Sequence, residues 1–596
     1  MVMYLYIKRY GVADIHVPAL ILFIVLALVS VIVFITSYSN IGSRYEGPLI
    51  FSLSAFLFLG VELCLLTVLA YILGGKYSLL ALILIFIGFL TKYSLPYYVF
   101  DGYVNYDTPV HYLSTLYLRD LGLNINYHYH PWPSWLILNN VFREVSGLKF
   151  PVDASIVALA SRFLIPLSIY TISRRYLMNG KAVLIAMLVL LIFEPFIIHP
   201  SPLITAVALT ILAMVAFLNQ LYRVNSGYLA IMTIVGIAVA TYHAIMPVAL
   251  IASILTVLIF YELTPKFVAL KTGREGKHEE LRAYLVVGIL TTIVVFYNTY
   301  ITVFVTRSLA RTLTLLLQGD TPRLDVYPLI IENPEIAWQY NMLAIVSIVA
   351  LLFLLGIPSA IVATYLLIKY LKLGLTNRER VVLATAIIAG ANAAIHVFFG
   401  YIFKVGLVER FFQISYILSP VLTAYLYEKL PSRCFHNCRI MSTKKVVHMI
   451  MLVGTPIFMM LSMFTSPAYT TLYASAFGKT DLNTAQWVAR YLPNSEVYLD
   501  GSGRLNQLIA LYSYPSHVYK VNLSITRVIE VNALNEKYTY PNGVIITTRK
   551  PLITLTTATS TVKGLSDTML SKHVESLPLH IDKLFSNSVC EIFIVK

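Results

Sequence analysis

Apolar runs of bilayer length recur along most of this chain. They occupy residues 17–37, 49–73, 78–97, 153–173, 182–199, 202–222, 228–242, 244–261, 283–305, 341–369, 381–403, 411–428 and 447–465. A helix needs about 20 residues to cross roughly 30 Å of hydrocarbon. The pattern therefore predicts a polytopic α-helical membrane protein of about thirteen spans. The pair 228–242 and 244–261 is the least regular, because both runs are short and Pro247 interrupts the second. The run from Val17 is too long for a signal-peptide core and lacks a small-residue cleavage site, so it reads as a span.

Past residue 466 the pattern becomes that of a soluble fold. "DLNTAQWVARYL" and "RLNQLIALY" carry helical periodicity, and "EVYLD", "GVIITT" and "EIFIVK" read as strands. The expected organisation is a transmembrane part, 1–466, and an extracytoplasmic α/β domain, 467–596. Asn522-Leu523-Ser524 forms a glycosylation sequon in that second part.

Lysine and arginine set the expected orientation. Lys8 and Arg9 precede the first span, and Arg174, Arg175, Lys181, Arg223, Lys372, Arg378, Arg380 and Lys429 all fall in loops of the same parity. The positive-inside bias then places the N-terminus in the cytoplasm and the C-terminal domain outside, in a multi-pass protein of the cytoplasmic (plasma) membrane.

Composition adds little and excludes one class. Of 596 residues 58% are hydrophobic and 12% charged, with a formal charge of +15 and a mean hydropathy of +0.76. On a soluble protein that charge suggests nucleic acid, but here it marks cytoplasmic loops, so no nucleic-acid partner is expected. Four cysteines make no disulfide framework. Cys434 and Cys438 bracket His436 in "CFHNC", a weak metal motif.

One polar island interrupts the apolar chain. The loop 98–152 holds "FDGYVNYDTPVHYLSTLYL" and "YHYHPWPSW", rich in acids, histidines and Trp-Pro pairs. By parity it faces outside, as do Glu194 and His199 in "FEPFIIHPSP", His243 in "TYHAIMP" and Arg410 in "VERFF". Ionisable groups at span ends are costly to bury and are candidates for function. Asp107 stands just before a Pro and an amphipathic segment. It is either a helix cap or a general base able to hold a divalent cation, magnesium or manganese. His111, four residues on, shares its helical face. Asp101 is a second acid in the same loop. His130 and Trp132 lie in a segment that either anchors at the head-group layer or lines a sugar or polyprenyl site. Arg410 either snorkels or binds phosphate. Arg162 lies inside a span and calls for a partner, for which Glu194 on the next span is a candidate. The 306–340 loop, with Arg307, Arg311, Asp320, Arg323 and Asp325, reads as a lid or a connector.

These motifs resemble the GT-C superfamily of membrane glycosyltransferases, in its archaeal-type, polyprenyl-phosphate-sugar-dependent form. "YDTPVHY" followed by "YHYHPWPSW" is similar to that group's first external loop, and "NTAQWVARYLPNSEVYLD" to its turn into an external domain. The resemblance implies that Asp107 is the catalytic base or lies beside a metal, with Asp101 and His111 as secondary candidates. It implies that Arg410 meets the donor phosphate, and that His130, Trp132, Glu194, His199 and His243 line the substrate. The expected activity is an inverting transfer of a sugar from a polyprenyl phosphate to a glycan, lipid or protein acceptor of the cell envelope. The chain departs from the family in two places. Two more spans than usual precede the loop, and Thr108 follows Asp107 where a second acid is common. A Trp-Trp-Asp signature is absent, Trp487 standing alone, which argues against en bloc transfer to asparagine. Two other readings stay open: a transporter or flippase of lipid-linked glycans, and a non-catalytic surface or assembly protein.

Overall fold

The fold is taken from a computed structural model. The structure describes residues 78–99, 108–123, 130–193, 201–223, 225–272, 281–301, 349, 351–398, 409–429, 479–491, 497–499, 511–512, 543–548, 581–586 and 590–595. The runs 17–37, 49–73 and 447–465, the "CFHNC" motif and the 306–340 loop lie outside these residues.

Helices form over the apolar runs that the structure describes, and two more, α2 and α3, form in the polar island. They are α1 (Ser78–Val99), α2 (Thr108–Leu121), α3 (Ser134–Ser146), α4 (Val152–Tyr176), α5 (Gly180–Phe193), α6 (Pro202–Tyr222), α7 (Ser226–Tyr242), α8 (Met246–Thr272), α9 (Leu281–Phe296), α10 (Ile357–Leu373), α11 (Asn377–Ile395) and α12 (Glu409–Lys429). The uncertain stretch 228–261 resolves into two helices separated at residues 243–245. Pro247 falls in the first turn of α8, where its missing N–H costs nothing. A π-helical turn, Tyr297–Ile301, extends α9, and another, Leu352–Gly356, leads into α10.

Five helical stretches among the described residues are long and apolar enough to cross a membrane: Val152–Tyr176, Pro202–Tyr222, Met246–Leu263, Leu352–Leu373 and Asn377–Phe398. The core runs through α6, whose Ile204, Ala208, Ile211 and Phe217 are all buried, and through α12, with Ile414, Leu418 and Leu422. The periphery is apolar too. Ile357, Ile361, Tyr365 and Ile368 of α10 are exposed. Apolar side chains on both the inner and outer faces of a bundle are what hydrocarbon solvent permits and water does not. The architecture is that of a multi-pass membrane protein.

Close packing is set by small residues in places. At Gly236 of α7 an added Cβ would lie 2.8 Å from Leu290 Cδ2 of α9, so glycine is what lets these two helices approach. A buried polar pair joins two of the helices: Thr205 Oγ1 of α6 donates to Ser161 Oγ of α4 at 2.9 Å. At one end of the bundle Tyr176 OH donates to Asn219 Oδ1 (2.7 Å) and Arg378 Nη2 to the Tyr176 carbonyl (2.6 Å). At that same end α11 starts in a capping box of Thr376 and Glu379, with Lys369 of α10 bonded to the Glu379 carboxylate at 2.6 Å. These contacts satisfy the orphan amides of the first turn. Arg174, Arg175, Arg378 and Arg380 mark this end as basic.

Near the C-terminus, α13 (Lys479–Tyr491) turns Leu482, Ala485 and Val488 inward on one face. Four strands follow: β1 (Val497–Leu499), β2 (Gly543–Thr548), β3 (Ile581–Ser586) and β4 (Cys590–Val595). They form one sheet in the order β1-β2-β4-β3, with β1 parallel to β2 and the other pairs antiparallel. α13 packs against β4. The pattern had marked β1, β2 and β4; β3 is new. Its "IDKLFS" alternation is broken by a bulge between Lys583 and Phe585, which hides the period-two signal.

Candidate functional site

The polar island folds into two short helices and a turn at the end of the bundle opposite the basic one. α2 begins at Thr108, one residue after Asp107, with Pro109 in its first turn. Its inner face, Thr108, His111, Tyr112 and Thr115, is buried. α3 follows the turn at residues 130–133 and is closed by Gly147 in the left-handed region (φ 68°), whose N–H returns to the Arg143 carbonyl.

α3 carries apolar residues on both its inner and its outer side. Trp135, Leu136 and Asn139 face inward, whereas Ile137, Val141 and Val145 are exposed on the opposite side, Val145 at 82%. Inside, Asn140 Nδ2 donates to the Thr115 carbonyl at 3.0 Å and so ties α3 to α2.

The turn is fastened from several directions. His130 is fully buried and its Nε2 lies 3.0 Å from the Ser114 carbonyl. A carbonyl only accepts, so Nε2 carries the proton. Burial holds the His130 pKa below the ordinary imidazole value, and the Ser114 bond opposes this in part. The His111 ring meets Trp135 edge-on, with centroids 5.6 Å apart. Ser134 Oγ donates to Thr241 Oγ1 at the end of α7 (2.7 Å). Tyr297 OH, in the π-helical turn after α9, donates to the Pro131 carbonyl (2.6 Å). The loop is thus bonded to α7 and to the end of α9.

His243 and Arg410 belong to the same end. His243 caps α7, and its Nδ1 accepts from the Ile245 backbone N–H at 3.1 Å. Desolvation first, and then the positive charge of nearby Arg410, push its pKa well below the ordinary range. Arg410 is the second residue of α12, and both groups are half-buried. The 130–133 turn is followed by Ser134, which is bonded to Thr241 at the end of α7, and His243, two residues after Thr241, feels the charge of Arg410.

Of the residues singled out from sequence, His111, His130, Trp132, His243 and Arg410 fall at this end. Asp101, Asp107, Glu194 and His199 lie outside the described residues. Arg162 is buried, with its guanidinium 4.0 Å above the ring of Tyr93 on α1, a cation–π contact. Sequence reasoning passed over Tyr297 and Asp153. "FYNTY" at the foot of α9 reads as a polar lapse within a span, yet it forms the π-helical turn that reaches the loop. Asp153, fully buried in the first turn of α4, accepts from the Ala154 N–H at 2.8 Å. An acid in the first helical turn was its available signal.

Among the described residues no group of three or more His, Cys, Asp and Glu side chains forms a metal-ligand set. His130 Nε2 and His243 Nδ1 are engaged by backbone groups. What this end of the bundle offers is hydrogen-bond donors, a guanidinium and aromatic faces.

No protein-family model matches the chain, and no curated protein matches it. Among solved structures it is similar to the crystal structure of ArnT from Cupriavidus metallidurans in the apo state. The identity is 11% and the TM-score 0.45, over 82% of this chain and 93% of that one.

Proposed function

We propose that the chain is a membrane glycosyltransferase that moves a sugar from a polyprenyl phosphate to an acceptor at the outer face of the plasma membrane. The observation that carries this reading is the tethering of the polar loop, through Ser134–Thr241 and Tyr297–Pro131, to the bundle end that holds His243 and Arg410. The "YDTPVHY" and "YHYHPWPSW" motifs, similar to those of GT-C enzymes, supply the chemistry expected there.

In this mechanism the Asp107 carboxylate takes the proton of an acceptor hydroxyl. The acceptor oxygen forms a bond to the anomeric carbon as the bond from that carbon to the phosphate oxygen breaks. The electron pair departs with the phosphate, and attack opposite the leaving group inverts the anomeric centre. Arg410 stabilises the charge that develops on the phosphate, by charge-assisted hydrogen bonds in a partly desolvated site. A divalent cation at Asp107 would add positive charge beside the phosphate.

Basic residues at the opposite bundle end, Arg174, Arg175, Arg378 and Arg380, support a cytoplasmic placement of that end. The site then faces outward, where nucleotide sugars are absent and a lipid-linked donor is the available one. The apolar outer face of α3 fits the outer-leaflet interface.

The test is transfer by the purified protein in proteoliposomes supplied with radiolabelled polyprenyl-phosphate sugars and a mixture of cell-envelope acceptors. Labelled product with an inverted anomeric centre is expected. Donor movement across the bilayer without any product would favour the transporter reading instead.

A further inference from the structure

We infer that the outward face of α10 binds an anionic phospholipid, with an acyl chain along Ile361, Tyr365 and Ile368 and the headgroup on Lys372. The site does not depend on the transferase reading.

α10 belongs to the stretch Leu352–Leu373, which has the length and hydropathy of a span and is the least buried of the five such stretches among the described residues. Ile361, Tyr365 and Ile368 are each close to half exposed. They stand four and three residues apart, so they form one row on the helix. Lys372 comes four residues after Ile368, continues the row and is exposed. Leu373, beside it, is 82% exposed. The row is therefore apolar along its length and cationic at its end. At 1.5 Å per residue, Ile361 lies about 16 Å from Lys372 along the axis. That is roughly half of a 30 Å hydrocarbon core, the depth of one leaflet.

The charge at this end favours a negative headgroup. Lys369 is bonded to Glu379 at 2.6 Å, whereas Lys372 has no ion pair among the described residues. From residue 369 to 380, Glu379 is the one acid against Lys369, Lys372, Arg378 and Arg380. A net-neutral headgroup such as phosphatidylcholine leaves this excess unbalanced, and a phosphatidylglycerol phosphate offsets part of it. In the orientation proposed above the lipid belongs to the inner leaflet, whose anionic surface attracts basic groups.

A second copy of the chain covers this row less well. Two copies in one membrane share their orientation, so a two-fold contact through α10 sets the two Lys372 side chains at one level, like charge against like. The row also lacks the small residues with which membrane helices approach closely.

The variant Ile368→Trp reads which lipid lies on the row. The full chain carrying it is placed in nanodiscs of phosphatidylcholine and phosphatidylglycerol in equal parts, with bromine on the acyl chains of one lipid or the other. Quenching of the unsubstituted chain is subtracted. Ile234→Trp is the reference, at an exposed position of α7, a helix without a basic residue. The ratio of phosphatidylglycerol to phosphatidylcholine at Ile368→Trp is expected to be about five-fold above the reference, the scale of one basic residue at an anionic surface. Adding Lys372→Gln should return the ratio to the reference and leave the melting temperature unchanged, because that side chain is exposed. Equal ratios at the two positions overturn the site. A raised ratio that survives Lys372→Gln overturns the assignment of the headgroup to Lys372. Absence of quenching by either lipid at Ile368→Trp, with two chains in each nanodisc, puts a second copy on the row and overturns the lipid site.

Discussion

Tyr297→Phe removes one hydroxyl and leaves the ring. That hydroxyl donates 2.6 Å to the Pro131 carbonyl, joining the π-helical turn after α9 to the 130–133 turn. A hydrogen bond of this kind contributes roughly 1 kcal/mol net, and a carbonyl left without a partner in a half-buried site adds to the loss. At about 1.4 kcal/mol per tenfold, the opening equilibrium of the 130–146 segment should shift about five-fold. Thr241→Val removes the acceptor of the Ser134 hydroxyl, bonded at 2.7 Å, while keeping side-chain volume. If the two contacts act independently, the double variant loses about 2 kcal/mol and opens about thirty-fold more often. Amide hydrogen exchange of peptides spanning 130–146 reads this directly when reclosing is fast. Exchange should quicken in that order, with the buried α6 unchanged. Wild-type protection in the double variant would refute the view that these bonds hold the loop on the bundle.

Other predictions follow from the same contacts. Trp135→Ala, at a fully buried site against His111, should destabilise by about 3–5 kcal/mol, lowering the melting temperature far more than any exposed substitution on α3. His130 is buried with its folded pKa below the ordinary 6.5; its neutral-form contribution is complete above pH 6.5 and declines as pH falls from there toward the folded value. The loss is at most about 1.4 kcal/mol per pH unit, so the melting temperature should drop on acidification in wild type and drop less in His130→Gln. Tryptophan placed at Val145, on the exposed face of α3, should be quenched by lipids brominated near the head group, and equal quenching by an aqueous quencher would contradict an interfacial α3.

Much of the fold was legible because hydrocarbon imposes one rule: a crossing helix must be apolar for about 20 residues. α4, α6 and α11 obey it, and the sequence marks them to within a few residues. The loop was legible as an anomaly, since acids, histidines and Trp-Pro pairs have no packing role in lipid. Its attachment was not. Tyr297 and Pro131 are 166 residues apart, and nothing local in "FYNTY" says that the hydroxyl turns toward the loop. The contact of Arg162 with the Tyr93 ring was equally hidden, since no local motif announces a cation–π contact between helices, and Glu194, the partner expected from sequence, lies outside the described residues. β3 escaped because one bulge shifts the alternation by a residue.

The central proposal is that Asp107 serves as the base of a sugar transfer in which Arg410 meets the donor phosphate. It is tested most directly by comparing wild type with Asp107→Asn for labelled sugar transfer in proteoliposomes, with matched melting temperatures. The account predicts product from wild type and a loss of at least about a hundred-fold in the variant, the usual scale for removing a general base. Equal rates would contradict it and remove Asp107 from the chemistry.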